Sequence, residues 1–271
     1  MIHLKSEKEI DLMRDAARLV SATLAKVAKH IVPGVETGLL DVVAYDYILS
    51  NGATPSFKGY GPRSNPFPAS LCISVNEEII HGLPGKRKLV DGDIVSIDCG
   101  VYKNGFHGDH AYTFQVGEIS DEALALLHTT HEATYRAAYK AIHGNKTGDI
   151  GFAVQDLCES KGYGVVRDFT GHGLGKSLHE DPSVPNYGKT GKGVRLRSGM
   201  VLAIEPMITL GTHKVKMLND GWTVITADNS LAAHFEHDVV VRENESEILS
   251  DYSLIEEVTK LEYSNVSFLN K

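Results

Sequence analysis

Gly92-Asp93-Ile94-Val95-Ser96-Ile97-Asp98 and, 107 residues later, Gly199-Met200-Val201-Leu202-Ala203-Ile204-Glu205 are one pattern written twice. Each opens on glycine, runs through aliphatic residues that read as a strand, and ends on a carboxylate. Two further matches keep the same order. Thr37-Gly38 to Gly52 aligns with Thr147-Gly148 to Gly162, 110 residues on, with Asp46 over Asp156 and Ser50 over Ser160. His107-Gly108-Asp109-His110 aligns with His234-Phe235-Glu236-His237, 127 residues on. Any one match could be chance. Three in order argue for a single domain over 1–271 with an internal repeat, about 6–116 and 120–245.

Local signals fill the two halves in the same sequence. Ser6 and Glu9 form a capping box, and Ile10, Met13, Ala17, Val20, Leu24, Val27 and Ile31 recur in steps of three and four. This predicts an amphipathic helix ended by Pro33-Gly34. Further helices are expected over Thr37 to about Ser50, Ser120 to about His143 and Thr147 to about Ser160. Strands are expected at 71–75, 93–101, 111–116, 201–208, 223–226 and 237–241, and Gly59 to Pro68 reads as a loop.

The chain has 271 residues, 42% hydrophobic and 23% charged. That balance excludes collagen-like, coiled-coil and disordered classes. A net charge of −8 argues against a large nucleic-acid face. Three cysteines (Cys72, Cys99 and Cys158) make no disulfide framework and point to a reducing compartment. No apolar run reaches the roughly 18 residues that span a bilayer. Met1 to Asp11 lacks the apolar core of a signal peptide. A cytoplasmic protein without a membrane partner or specific nucleic-acid site is expected, a monomer by default.

The repeat has a chemical consequence. Asp98 and Asp109 of the first half recur as Glu205 and Glu236 in the second. If the halves face each other, four carboxylates converge, and protons or cations must offset their repulsion. Two divalent ions would match a charge of about −4. His172, in Thr170-Gly171-His172-Gly173-Leu174-Gly175, is a candidate nitrogen ligand, and its flanking glycines allow close backbone approach and unusual dihedrals. An oxygen-rich set with one imidazole suits Mn, Fe(II), Co or Zn and not a thiolate zinc site. Two such ions bridged by carboxylates form a known hydrolytic arrangement. Each carboxylate alone reads as an ordinary solvated strand end, and the doubling is what raises them; His172 reads equally well as a turn histidine. Cys99 beside Asp98 should point to the opposite face of the strand and into the core.

The sequence resembles the type I methionine aminopeptidases. The matching stretches are Cys72-Ile73-Ser74-Val75-Asn76-Glu77-Glu78-Ile79-Ile80-His81-Gly82-Leu83-Pro84, Asp93 to Asp98, Gly105 to Asp109, Gly171 to Gly175, His179-Glu180-Asp181-Pro182, Ile204-Glu205-Pro206-Met207, Asp220-Gly221-Trp222-Thr223 and Glu236-His237. The resemblance implies an α+β pita-bread fold, two pseudo-symmetric halves with helices outside a curved, mostly antiparallel sheet, forming one catalytic domain. It implies metal ligands at Asp98, Asp109, His172, Glu205 and Glu236. It further implies two divalent metal ions and removal of the initiator methionine from nascent chains whose second residue is small. Glu205 would act as base or proton shuttle, His179 would stabilise the oxyanion, and His81 would assist the leaving amine. Phe57, Tyr60, Phe67, Cys72 and Trp222 would wall a methionine pocket, where a thioether favours aromatic contacts. A transient ribosome contact would have to use a local basic surface; Lys86-Arg87-Lys88, the densest run, reads as a solvated turn.

Departures from the pattern fall on the pocket. The Gly61 to Pro66 loop is a few residues longer than in many relatives, Phe67 stands where tyrosine is frequent, Leu178 where an aromatic is common, and His234-Phe235 replaces a polar-aromatic pair. The chain begins almost at the first helix, and this argues against the extra N-terminal domain of the prolidase-type relatives. A proline-directed aminopeptidase and an inactive binding module on the same scaffold are the competing readings.

Overall fold

Ser6 opens the first helix as its cap. Its hydroxyl accepts the Glu9 N–H, and the Glu9 carboxylate accepts the Ser6 N–H. The computed structural model describes residues 2–260 and Tyr263. The first half comprises α1 (Glu7–Ala28), α2 (Thr37–Ser50), β1 (Thr54–Pro55), β2 (Leu71–Val75), β3 (Glu78–Ile80), β4 (Ile94–Lys103) and β5 (Phe106–Gln115). The second comprises α3 (Asp121–Ala138), α4 (Thr147–Ser160), β6 (Gly164–Val165), β7 (Thr170–Gly173), β8 (Glu180–Pro185) and β9 (Val201–Ile204). It continues with β10 (Met207–Thr209), β11 (Val215–Met217), β12 (Val224–Thr226), β13 (Ala232–His234), β14 (His237–Val241), β15 (Ser246–Ile248) and α5 (Ser253–Thr259). The architecture is α+β, and the strand pairs among the described residues are antiparallel.

Two sheets matter for the site. In the first, β2 and β5 flank β4; in the second, the order is β15-β14-β9-β7-β8. Helices α1 to α4 bury Val20, Leu24, Leu40, Ile48, Leu126 and Val154 against Ile97, Val101, Leu202 and Val239 of these sheets in one continuous core. Cys99 lies in that core, on the face of β4 opposite Asp98.

The helix entries repeat bond for bond. Thr37 and Gly38 donate to the carbonyls of Arg87 and Gly85 at 2.9 and 2.8 Å. Thr147 and Gly148 donate to Val194 and Lys192, each at 2.9 Å. The sheets then meet at a seam. Glu236 N–H donates to the Ala111 carbonyl at 3.0 Å. The Thr113 hydroxyl donates to His234 C=O at 2.7 Å and accepts its N–H at 2.9 Å.

Several boundaries differ from the sequence expectation, three of them most clearly. Strand β5 begins at Phe106, five residues before Ala111, because Asn104 and Gly105 (φ 53° and 88°) form the two-residue hairpin turn that joins it to β4. The expected strand 201–208 is two strands in two sheets. Pro206 has no N–H for a ladder, so the break falls there and leaves Glu205 at the end of β9. Helix α3 stops at Ala138 and not near His143; the chain turns there toward Gly144 (φ 91°), as α1 stops at Ala28 before Gly34 (φ 93°).

Gly108 shows how tightly α1 backs the site. A Cβ there would sit 2.6 Å from the Ala17 nitrogen and 2.7 Å from the Ala16 carbonyl carbon, both helix backbone. Gly108→Ala should therefore destabilise the protein by about 1–3 kcal/mol, the scale of overpacking a close-packed interior. Urea unfolding checks this, and an unchanged midpoint would contradict the packing.

Candidate metal centre

Strands β4 and β5 pair Asp98 with Ala111 and Gly100 with Asp109, which sets the two carboxylates diagonally on one face. Cys72 of β2 is the partner of Asp98 on the other side. In the second sheet His172 of β7 lies opposite Ala203, while Ile204 pairs with His237. That register brings Glu205, just after β9, and Glu236, just before β14, to the same end of the sheet. The twelve side chains singled out from the sequence all line one cavity of about 220 Å³: Phe57, Tyr60, Phe67, Cys72, His81, Asp98, Asp109, His172, His179, Glu205, Trp222 and Glu236, joined by Leu178. A larger open groove of about 780 Å³ adjoins it and shares His172 and His179.

The electrostatics of the cavity call for positive charge. Burial pushes Asp98 up to about 7. Burial, then the charge of neighbouring carboxylates, pushes Asp109, Glu205 and Glu236 well above the usual carboxylate range. Asp98 Oδ1, Asp109 Oδ1 and Glu236 Oε1 have no hydrogen-bond partner. The His172 Nδ1–H donates to the Gly173 carbonyl at 2.9 Å, which leaves Nε2 as a bare lone pair 3.6 Å from Glu205 Oε1. Burial lowers this ring's pKa to about 3, so it is neutral. A lone pair facing a carboxylate is repulsive until a cation lies between them. Ligand atoms of Asp109, His172 and Glu236 lie within 4.8 Å of one another, near the roughly 4 Å across an ion with bonds of about 2.0–2.2 Å. The donor set therefore fits a divalent metal.

The rest of the lining divides into imidazoles and an apolar cup. His179 is kept neutral by burial, and the Tyr60 hydroxyl meets its Nδ1 at 2.6 Å. His81 is lowered to about 4 by burial and holds a left-handed backbone (φ 58°), a conformation that costs a non-glycine residue about 1–3 kcal/mol and concentrates at functional sites. Phe67 packs edge-on against Phe57 and Trp222 at 6.5 and 5.1 Å between centroids. The long loop is tied down: Gly59 and Phe67 bond across its base, and Asn65 Nδ2 donates to the Asp220 carbonyl at 3.0 Å. Burial, then Asp98, raises the Cys72 thiol far above its normal value, so it is a wall and not a nucleophile.

The glycines beside His172 behave only partly as expected. Cβ atoms at Gly171 and Gly173 would come within 2.3 Å of the Ala203 oxygen and 2.2 Å of the Asp181 oxygen, so close approach is real. Neither has a positive φ, so unusual dihedrals are not the reason for them.

Sequence reasoning missed the groups behind the centre. Asp238 Oδ2 accepts the Asp109 N–H at 2.9 Å. Asn186 Nδ2 donates to the Glu205 carbonyl at 2.9 Å. His234, noted only as a replacement, is buried with Nε2 3.8 Å from Glu205 Oε2. His110 and His237 occupy matching places in the His-Gly-Asp-His and His-Phe-Glu-His repeat, a signal that could have marked both as neighbours of the ligands.

Comparison with known proteins identifies the family and the fold. The sequence profile of metallopeptidase family M24 matches residues 11–243. A methionine aminopeptidase of Clostridium perfringens is 53% identical over 251 residues, 92% of this chain and 99% of the relative. The crystal structure of a Thermotoga maritima methionine aminopeptidase superposes with TM-score 0.89 at 42% identity, covering 93% of this chain and 100% of that one. A Pyrococcus furiosus prolidase shares the fold at 22% identity and TM-score 0.73, with 92% of this chain covering 65% of that one. The fold is thus the pita-bread fold of these relatives.

Metal and protons compete for the same groups. The folded pKa of Asp98 lies near 7, above the unfolded value of roughly 3.9. Its contribution is therefore fully present below about pH 4 and lost as pH rises through about 7. At pH 7.5 metal-free protein carries a carboxylate penalty that a cation removes; at pH 5.0 protons have largely removed it. The rise in Tm on saturation with Mn(II) should be larger at pH 7.5 than at pH 5.0. Scanning calorimetry reads this, and an equal or larger rise at pH 5.0 would count against the centre.

Proposed function

This chain belongs to metallopeptidase family M24, and from that premise we propose that it removes the N-terminal methionine of nascent proteins whose second residue is small. The observation that carries the reading is a single cavity in which carboxylates, neutral imidazoles and an aromatic cup meet. As a metallopeptidase the protein uses divalent metal. Two ions, held by Asp98, Asp109, His172, Glu205 and Glu236, would balance the charge of four ionised carboxylates; Co, Mn, Fe(II) and Zn all suit the set. Bound metal supplies polarisation of the scissile carbonyl and a lowered pKa for water.

The side chains supply the remaining steps. Glu205, which lines the cavity beside the other carboxylates, would take the proton of the attacking water and pass it to the departing amine. With the Tyr60 hydroxyl donating to Nδ1 across their 2.6 Å contact, a neutral His179 would carry its own proton on Nε2, free to donate to the developing oxyanion. His81, also neutral, stands by the leaving nitrogen. A cavity of about 220 Å³ is below the roughly 300 Å³ of ordinary ligand pockets and suits one side chain. Phe57, Phe67, Cys72, Leu178 and Trp222 give it the apolar, polarizable wall that a thioether prefers. Among the described residues no helix is long and apolar enough to cross a membrane. The reaction belongs in the cytoplasm, where nascent chains emerge, with brief ribosome contact as the means of access.

Assay of Met-Ala-Ser against Xaa-Pro peptides tests the reading. Methionine release from the first is expected, and cleavage confined to the second would transfer the protein to the proline-directed relatives. His179→Ala should lower kcat by about 10²–10³, the effect of one lost oxyanion donor, with metal content unchanged. Metal analysis of that variant separates the roles, because loss of metal would make His179 a ligand.

A further inference from the structure

Behind the centre the chain passes once more, at Ser250, Asp251 and Tyr252, beyond the stretch that the family profile matches. Each of the three reaches the seam between the sheets. The Ser250 hydroxyl meets His237 Nδ1 at 2.6 Å, and both groups are buried. The Asp251 N–H donates to the Ser21 hydroxyl at 2.9 Å, and the same oxygen lies 2.9 Å from His110 Nε2. The Tyr252 hydroxyl is 2.8 Å from the Ala111 carbonyl and 2.7 Å from the Glu236 carbonyl, and it accepts the Glu236 N–H at 2.9 Å. Its ring stacks at a tilt on His237, 4.1 Å between centroids.

We propose that residues 250–252, with Tyr252 as the central positioning residue, clamp the two sheets together behind the metal centre and thereby set its affinity. The clamped residues are the immediate neighbours of the ligands: His110 and Ala111 follow Asp109, and His237 follows Glu236. One hydroxyl proton can satisfy only one of two carbonyls at a time, while the oxygen takes the Glu236 amide. Tyr252 thus bridges the strand carrying Asp109 to the backbone of Glu236, across the gap that a cation spans on the other side. Loss of the Tyr252 hydroxyl leaves the direct Glu236 N–H to Ala111 bond to hold these two backbones without it, and the repelling carboxylates can spread. Partners that orient ligands from outside typically contribute 10–100-fold to metal affinity.

The inference rests on reading Asp109, His172 and Glu236 as ligands, and the experiment separates the two claims. Co(II) binding to the metal-free full chain is followed by calorimetry and visible absorption, well below each protein's Tm. Tyr252→Phe keeps the ring and loses only the hydroxyl; its Kd for Co(II) should weaken about 10-fold, with a shifted absorption band. A merely structural tyrosine would lower Tm and leave Kd and band as in the wild type, and that result overturns the clamp. His172→Ala should abolish tight binding; if it binds as the wild type does, the ligand reading falls first. Should Tyr252→Phe not fold, Ser250→Ala carries the test, with weakened Co(II) binding expected and an unchanged Kd against the clamp.

Discussion

Four carboxyl groups share a buried cleft whose lining holds neither lysine nor arginine. Like charges at such separations cannot all ionise without compensation, and burial makes each unpaired charge dearer still. The protein places a neutral imidazole lone pair against the same carboxylates in place of a cationic side chain. A site organised in this way is unfavourable alone and favourable around a divalent ion. The metallopeptidase chemistry follows from that asymmetry.

Two stretches of the chain far apart in sequence build this cleft together. Asp98 and Asp109 come from within the paired strands β4 and β5, and Glu205 and Glu236 from the adjoining ends of β9 and β14. Bonds that join the two sheets at the seam run from Glu236 to Ala111, between Thr113 and His234, and from the Asp109 amide to Asp238. Those bonds fix the distance between acidic groups contributed by opposite halves. Gly108 lets α1 press directly on the strand that carries Asp109, so the floor of the site has little room to relax. The apolar cup stands apart from this machinery. Much of it is assembled by the 59–67 loop folding toward the Asp220–Trp222 turn.

Much of this was legible in the sequence because it is periodic or doubled. The Ser6–Glu9 box and the three-and-four spacing behind it gave α1 to within a turn, and the paired Gly-to-carboxylate strands marked Asp98 and Glu205. Asn104-Gly105 is an equally readable turn signal, and it places the start of β5 at Phe106 with Asp109 inside the strand. Pro206 likewise carried the break in the 201–208 run. Other features have no local signature. That Asp238 would bond the Asp109 amide, or that Tyr252 would reach Ala111 and Glu236 together, depends on residues more than a hundred positions apart meeting across two sheets. A pattern of short spacings does not encode such contacts.

The central claim is that acidic groups of both halves enclose metal at one point. Anomalous diffraction from crystals equilibrated with Mn(II), recorded at the manganese edge, tests it most directly. Peaks enclosed by Asp98, Asp109, His172, Glu205 and Glu236 are predicted. Manganese bound elsewhere, with these five side chains carrying no anomalous density between them, would contradict the account.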